Sequence, residues 1–289
     1  MAIDPRLELE IGQASGTERA PPAPAYQLVE PSPWPIRGAF SALMLAAGLV
    51  LWLYDLIWPP WILFALGATG VVATMIGWWR DVVREGEAHE HTPLTQLSLH
   101  YGMLLFIGSE TMFFVAWFWA FFNTALFPAD SIQVVRDKVI GGVWPPQGIE
   151  TDDPWGLPLL MTIILLSSAA AVTWAHGRLE KGDRRGLKLG LIVGITLGVL
   201  FTGVQAYEFT HASFDYSGNI YGAVFFMATG VHGAHVIIGS IFLSVCLLRA
   251  FLGQFTPKEH LGLTFAAWYW HFVDVVWLFL FSFVYVWWG

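Results

Sequence analysis

Seven stretches of this chain are long and apolar enough to cross a lipid bilayer: about 37–57, 60–79, 94–127, 155–178, 187–211, 220–249 and 261–287. Each is closed off by charged residues, Pro or Gly. A helix needs roughly 20 predominantly apolar residues to traverse the hydrocarbon core. The expected fold is therefore an all-α integral membrane protein with seven transmembrane helices. Composition agrees, since only 12% of residues are charged, where a soluble domain carries about a quarter. The formal net charge of −8 says little about partners, because charge in such a chain counts loop by loop.

The spacing of the stretches sets the organisation. Residues 1–35 read as a polar tail without the basic start and apolar run of a signal peptide. Residues 36–79 read as a two-helix bundle closed by the short turn "WPP" (Trp58–Pro60). Residues 80–93 form a first polar loop, and 94–289 a five-helix bundle interrupted by a loop at 128–154. The third stretch is longer than the bilayer core is thick, so it must tilt or project. No internal repeat suggests an inverted-repeat transporter.

Seven spans put the two termini on opposite sides. On the side of the N-terminus fall Arg6, Arg19, Arg37, Arg80, Arg84, Arg178, Lys181, Arg184, Arg185, Lys188, Arg249 and Lys258; the other side has only Arg136 and Lys138. That asymmetry predicts an N-terminus on the cytoplasmic side, or on the matrix side in a mitochondrion, with the C-terminus on the opposite face; a bacterial membrane, with a periplasmic C-terminus, is the preferred setting. Gly190, Gly194 and Gly198 recur every four residues, a pattern that lets helix backbones approach closely in lipid. Gly230 and Ala234 are expected to do the same on the sixth helix. The lone Cys246 is expected to pack as a small apolar residue.

Ionisable groups inside a bilayer are costly and normally face a protein interior or water. Here they fall in the later five helices: Glu110, His176, Glu208, His211, His232, His235, His271 and Asp274, with Gln205 beside them. Glu110, the only charged residue between His100 and Asp130, is either a proton-exchanging group or a neutral acid donating a hydrogen bond between helices. His232 with His235, and His271 with Asp274, share helix faces at a spacing of three. Such pairs can hold a metal when three or four ligands converge, or satisfy each other by hydrogen bonding. The second reading is preferred here. No nucleotide loop, nucleophile elbow, cysteine cluster or haem-binding histidine arrangement is present, so no catalytic residue, cofactor ligand or metal ligand is assigned.

An ordered set of motifs adds what periodicity cannot: "SPWP" (32–35), "WWRDVVREG" (78–86), "HTP" (91–93), "YGMLLFIGSETMFFVAWFWAFF" (101–122), "WPPQGI" (144–149), "VTWAH" (172–176), "FMATGVHGAHVIIGSIFL" (226–243) and "AAWYWHFVDVVWLFLF" (266–281). Together they resemble subunit III of cytochrome c oxidase, the aa3-type haem-copper enzyme of the α-proteobacterial and mitochondrial branch. The resemblance implies two bundles, helices 1–2 and 3–7, separated by a V-shaped lipid-filled cleft. It implies a non-redox subunit: haem a, haem a3, CuA and CuB belong to subunits I and II, with subunit I as the main contact and a small accessory subunit possible. The complex would oxidise cytochrome c, reduce O2 to water and pump protons in a bacterial inner membrane. This chain would support proton uptake, lifetime during turnover, phospholipid binding and O2 access; it has no nucleic-acid partner.

Carried over residue by residue, Trp79, Arg84, Glu85, His91 and Arg249 match the family's lipid-headgroup positions. Glu110 and Glu208 match its buried acids on helices three and five. Three departures stand out: His100 where some relatives carry Arg, Thr264 where relatives carry Glu, and a tail with acids such as Glu8 and Glu10 but no histidines. Two other readings remain open at this point. One is the same role in a quinol-oxidising complex, against which the N-terminal hairpin argues; the other is an independent proton channel or transporter.

Overall fold

The computed structural model describes residues 31–56, 59, 61–88, 91–128 and 141–288. Seven long helices account for most of them: α1 (Trp34–Leu53), α2 (Ile62–Glu87), α3 (Pro93–Leu126), α4 (Leu157–Glu180), α5 (Arg184–His211), α6 (Ile220–Phe251) and α7 (Leu261–Leu280). The last runs on as a π-helix, Phe281–Trp287. Among the described residues there is no strand, and all seven helices are long and apolar enough to cross a membrane.

The boundaries differ from the apolar stretches where local chemistry intervenes. α1 stops at Leu53, and Asp55 beyond it takes a left-handed φ of 50°. α2 continues eight residues past the apolar run, so most of the expected loop at 80–93 is helical. Arg and Glu are good helix formers, and Arg84 pairs with Asp81 one turn earlier. α5 begins at Arg184 because the Asp183 carboxylate caps it, accepting from the Arg185 and Gly186 N–H groups at 3.1 and 2.9 Å. The turn before it needs Gly182, at φ 75°, whose N–H returns to the Leu179 carbonyl. The expected tail up to residue 30, the Trp58–Pro60 turn apart from Pro59, and residues 129–140 of the long loop lie outside the described residues.

The chain divides into two compact units, residues 1–101 and 102–289. In the first, α1 and α2 pack backbone to backbone: Gly48 lies against Leu63 and Phe64, and Gly67 against Met44 and Leu45. The indole Nε1–H of Trp34, at the start of α1, donates to Asp81 Oδ2 near the end of α2 at 2.7 Å. This unit has few buried residues, and Phe40, Leu43, Leu53 and Trp79 are all more than 60% exposed. Such a surface suits lipid or another subunit, not water.

The second unit holds the core. Trp270, Trp277, Tyr285, Phe121, Phe201 and Phe225 are its largest buried side chains, together with Tyr221. The glycine stripe on α5 is where the close approach occurs. A Cβ at Gly190 would lie 2.8 Å from the Ala175 methyl and 2.9 Å from the Ala171 carbonyl of α4; at Gly194 it would lie 2.8 Å from Val172. Gly198 faces Trp270 of α7. On α6 the expected pair is displaced. Gly230 has only Phe209 near it and Ala234 is exposed, whereas Gly233 lies against Gln205 and Gly239 against Trp270. The helix turns its His232-bearing face inward, and that selects a different set of small residues. α3 joins this unit through side chains: Phe106 on Tyr269, Phe114 on Phe272 and Phe118 on Phe279.

Candidate functional site

Every buried polar group in a bilayer needs a partner, and following those partners leads to Glu110. Its Oε2 lies 3.0 Å from Nε2 of His235 on α6. The other ring nitrogen, Nδ1, lies 2.8 Å from the Val231 carbonyl, one turn back on the same helix. A carbonyl only accepts, so Nδ1 carries hydrogen. Nε2 must then either accept a proton from a neutral carboxylic acid or, as part of an imidazolium, donate to a carboxylate. The pair shares one proton in both cases. Phe114 packs on the imidazole with ring centroids 4.7 Å apart, and Tyr269 stacks at 6.4 Å. These rings fix the orientation of the imidazole beside the carboxyl group.

The remaining intramembrane groups are each tied to a neighbour. Glu208 on α5 is buried, and its Oε2 accepts from the Tyr285 hydroxyl at 3.1 Å. Tyr285 sits in the π-helical segment that continues α7. His232 is fully buried and donates from Nε2 to the Val273 carbonyl of α7 at 3.2 Å. His271 lies 3.9 Å from Asp274 and meets the Thr173 hydroxyl of α4 at 3.1 Å through Nε2. Gln205 Nε2 donates to the Thr229 carbonyl, Trp270 to Ser168, and Trp277 to Thr162. His232 and His235 thus bond to different partners and not to each other as the spacing suggested, His271 and Asp274 face one another, and the four do not converge on a point. Among the described residues, the single group of three or more donor side chains close enough for a metal is elsewhere: His176, Glu180 and His260.

The headgroup candidates fall in two places. Trp79, Arg84 and Glu85 lie on the C-terminal part of α2, and His91, just before α3, faces Glu85. Trp79 is 62% exposed, Arg84 lies 3.8 Å from Asp81, and His91 Nε2 lies 3.8 Å from Glu85. A guanidinium held this loosely keeps donors for a phosphate, and an indole suits the interface. Arg249 belongs to the other unit, where it donates to Gln254 at 3.0 Å and lies over the Phe255 ring at 4.6 Å. In the loop before α4, Asp152 has its carboxyl pushed above the ordinary carboxylate range by burial.

Several participants gave no signal in the sequence. Asp81 is 47 residues from its partner Trp34. Tyr285 is 77 residues from Glu208 and sits in an undifferentiated aromatic run. His260 precedes α7 as one polar residue among several. Only the i,i+4 spacing of His176 and Glu180 was visible locally.

Comparison with known proteins covers nearly the whole chain. The family described as "Cytochrome c oxidase subunit III" matches residues 24–289. The protein named "Cytochrome c oxidase subunit 3" of Rattus norvegicus is 51% identical over 267 residues, 92% of this chain and 97% of that protein. Its namesake in Triticum aestivum matches to the same extent. That of Danio rerio is 49% identical over 269 residues, 92% of this chain and 98% of its own length. With seven apolar helices in place and a match of this extent, the chain belongs to the cytochrome c oxidase subunit III family.

Proposed function

We propose that this chain is the subunit III of an aa3-type cytochrome c oxidase in a bacterial inner membrane, seated mainly against subunit I and also meeting subunit II. Subunit III is a non-catalytic part of the haem-copper oxidase, an oxidoreductase complex whose cofactors lie in other subunits. The observation that carries the proposal is the match over 92% of the chain and 97% of the rat and wheat proteins. The excess of Lys and Arg on one set of loops supports a cytoplasmic N-terminus.

Within that complex the chain has two tasks. Trp79, Arg84, Glu85 and His91, together with Arg249, bind phospholipid headgroups and so hold lipid at the cytoplasmic surface. Glu110 with His235, and Glu208 with Tyr285, keep proton-bearing groups in the bundle, where they can support proton uptake by the complex. The membrane itself supplies phospholipid, and cytochrome c is the electron donor to the assembly.

The test is affinity purification through a tag on this chain from its native membrane. Haem a and copper should accompany it in fixed proportion, and the preparation should consume O2 with reduced cytochrome c as sole donor. A haem-free isolate would sink the assignment in favour of an independent channel. Turnover with quinol alone would move it to a quinol-oxidising complex.

A further inference from the structure

At the end of the second unit where Arg178, Lys181, Arg184 and Arg185 gather, three donor side chains meet that none of the contacts above requires. His176 and Glu180 lie one turn apart on the last turns of α4, and His260 is the residue before α7. One ligand atom from each lies within 4.8 Å of the others. His176 Nδ1 is 3.8 Å from Glu180 Oε1, and the two imidazoles meet edge to face with centroids 5.2 Å apart.

The outer contacts set which nitrogens are available. His260 Nδ1 lies 3.2 Å from the Thr256 carbonyl, so Nδ1 carries the hydrogen and Nε2 keeps its lone pair. The Thr264 hydroxyl donates to the His260 carbonyl. It can then only accept from His176 Nε2, 3.3 Å away, which leaves the lone pair of His176 on Nδ1, the atom beside Glu180. Each histidine therefore donates from its far nitrogen to a fixed oxygen and keeps its near nitrogen basic. That is the outer-shell arrangement of metal-bound histidines. The nearest cation on the helix is occupied elsewhere: Arg178 pairs with Asp183 at 3.4 Å and lies over the Trp174 ring.

We propose that His176 Nδ1, His260 Nε2 and a Glu180 carboxylate oxygen form a three-ligand site for a borderline divalent transition metal of the Zn2+ class, completed by water. Two imidazoles and one carboxylate suit Zn2+ and its first-row neighbours; Mg2+ and Ca2+ prefer oxygen donors throughout. Tetrahedral ligands about 2.1 Å from the metal stand about 3.4 Å from one another. The site must therefore contract by roughly 1 Å, and Glu180, whose side chain is 58% exposed, is free to make that move. Because α4 and α7 contribute separately, the bound ion links the end of one helix to the start of the other.

The experiment uses the intact purified complex, washed with chelator and then given one equivalent of Zn2+. Anomalous diffraction data on either side of the zinc absorption edge separate zinc from resident copper. The expected result is a zinc peak among His176, Glu180 and His260. It disappears in His260→Gln and weakens about tenfold in apparent affinity in Glu180→Gln, an exposed position whose replacement leaves the helix packing untouched. Thr264→Val removes the outer partner of His176 together with the hydroxyl's bond to the His260 carbonyl but none of the three ligands, and the expected weakening is 10–100-fold. No peak at these residues would overturn the proposal, as would a peak unchanged in both His260→Gln and Glu180→Gln.

Discussion

Replacing Glu110 tests whether its carboxyl group matters for shape or for charge. The side chain has one polar partner across the helix interface, His235 Nε2 at 3.0 Å, and the far side of that imidazole is already committed to Val231. Glu110→Gln keeps an N–H that can donate to the Nε2 lone pair, so the stability change should stay within about 0.5 kcal/mol, as for replacements that break no interaction. Glu110→Leu leaves Nε2 facing aromatic rings with no partner. An unsatisfied buried group costs about 1–3 kcal/mol, and membrane helix pairs of this kind couple by about 0.6 kcal/mol, up to about 1.7. A double-mutant cycle of Glu110→Leu with His235→Phe should therefore return a coupling of about 0.6–1.7 kcal/mol. The measurement is reversible unfolding in mixed micelles at rising SDS fraction, with initial electron-transfer rate as the second readout. Glu110→Gln should transfer electrons at close to the parental rate. If Glu110→Gln proves as unstable as Glu110→Leu, or the coupling vanishes, the shared-proton hydrogen bond is not what holds α3 to α6.

Three more outcomes follow from particular contacts. Gly190→Ala should destabilise the second unit by about 1–3 kcal/mol in the same titration, because the new methyl meets the Ala171 carbonyl and the Ala175 methyl, whereas Gly230→Ala, whose methyl would meet only Phe209 at an ordinary 3.8 Å, should be within about 0.5 kcal/mol of the parent. The Asp152 carboxyl is raised by burial from its ordinary 3.8, so the folded protein holds its proton to higher pH than the unfolded chain does. Stability from this group is thus greatest at acid pH, falls as pH rises through the raised value and is level above it; Asp152→Asn should flatten that slope in unfolding midpoints measured across pH. Arg84→Ala should lower the phospholipid retained by the purified complex, by mass spectrometry, and shorten its active lifetime; unchanged lipid and lifetime would count against a headgroup role.

The seven helices were legible because bilayer thickness imposes a length that apolar runs either meet or miss. The α5 stripe of Gly190, Gly194 and Gly198 was legible for a similar reason, since close approach leaves room for nothing larger. Local pattern failed where capping or continuation depends on charged residues. The run Arg80–Glu87 looks like a loop by polarity yet is helical, because helix formation tolerates charge once the backbone has left the hydrocarbon. Gly230 and Ala234 had the right spacing, but which face of α6 turns inward is decided by tertiary contacts, and their spacing carries no record of that. The site was legible only as an inventory. Glu110, Glu208, His232 and His235 stood out as costly residues, but their pairing spans up to 125 positions in the chain. No period in a sequence encodes a partner at that distance.

The continuation of α2 has a consequence for how its surface chemistry can change. At 26 residues the helix is about 39 Å long, against a hydrocarbon core of about 30 Å. Trp79, Arg84 and Glu85 are therefore mounted on one rigid rod whose angular register is pinned by the Trp34–Asp81 hydrogen bond. A single residue inserted between Trp79 and Arg84 would swing the guanidinium by about 100° around the axis and carry Glu85 with it. The same insertion after Glu87 would leave those three in place and displace only His91 from Glu85. Chain length is thus fixed inside what looks like a loop by polarity, so insertions and deletions should be absent from Trp79 to Glu87.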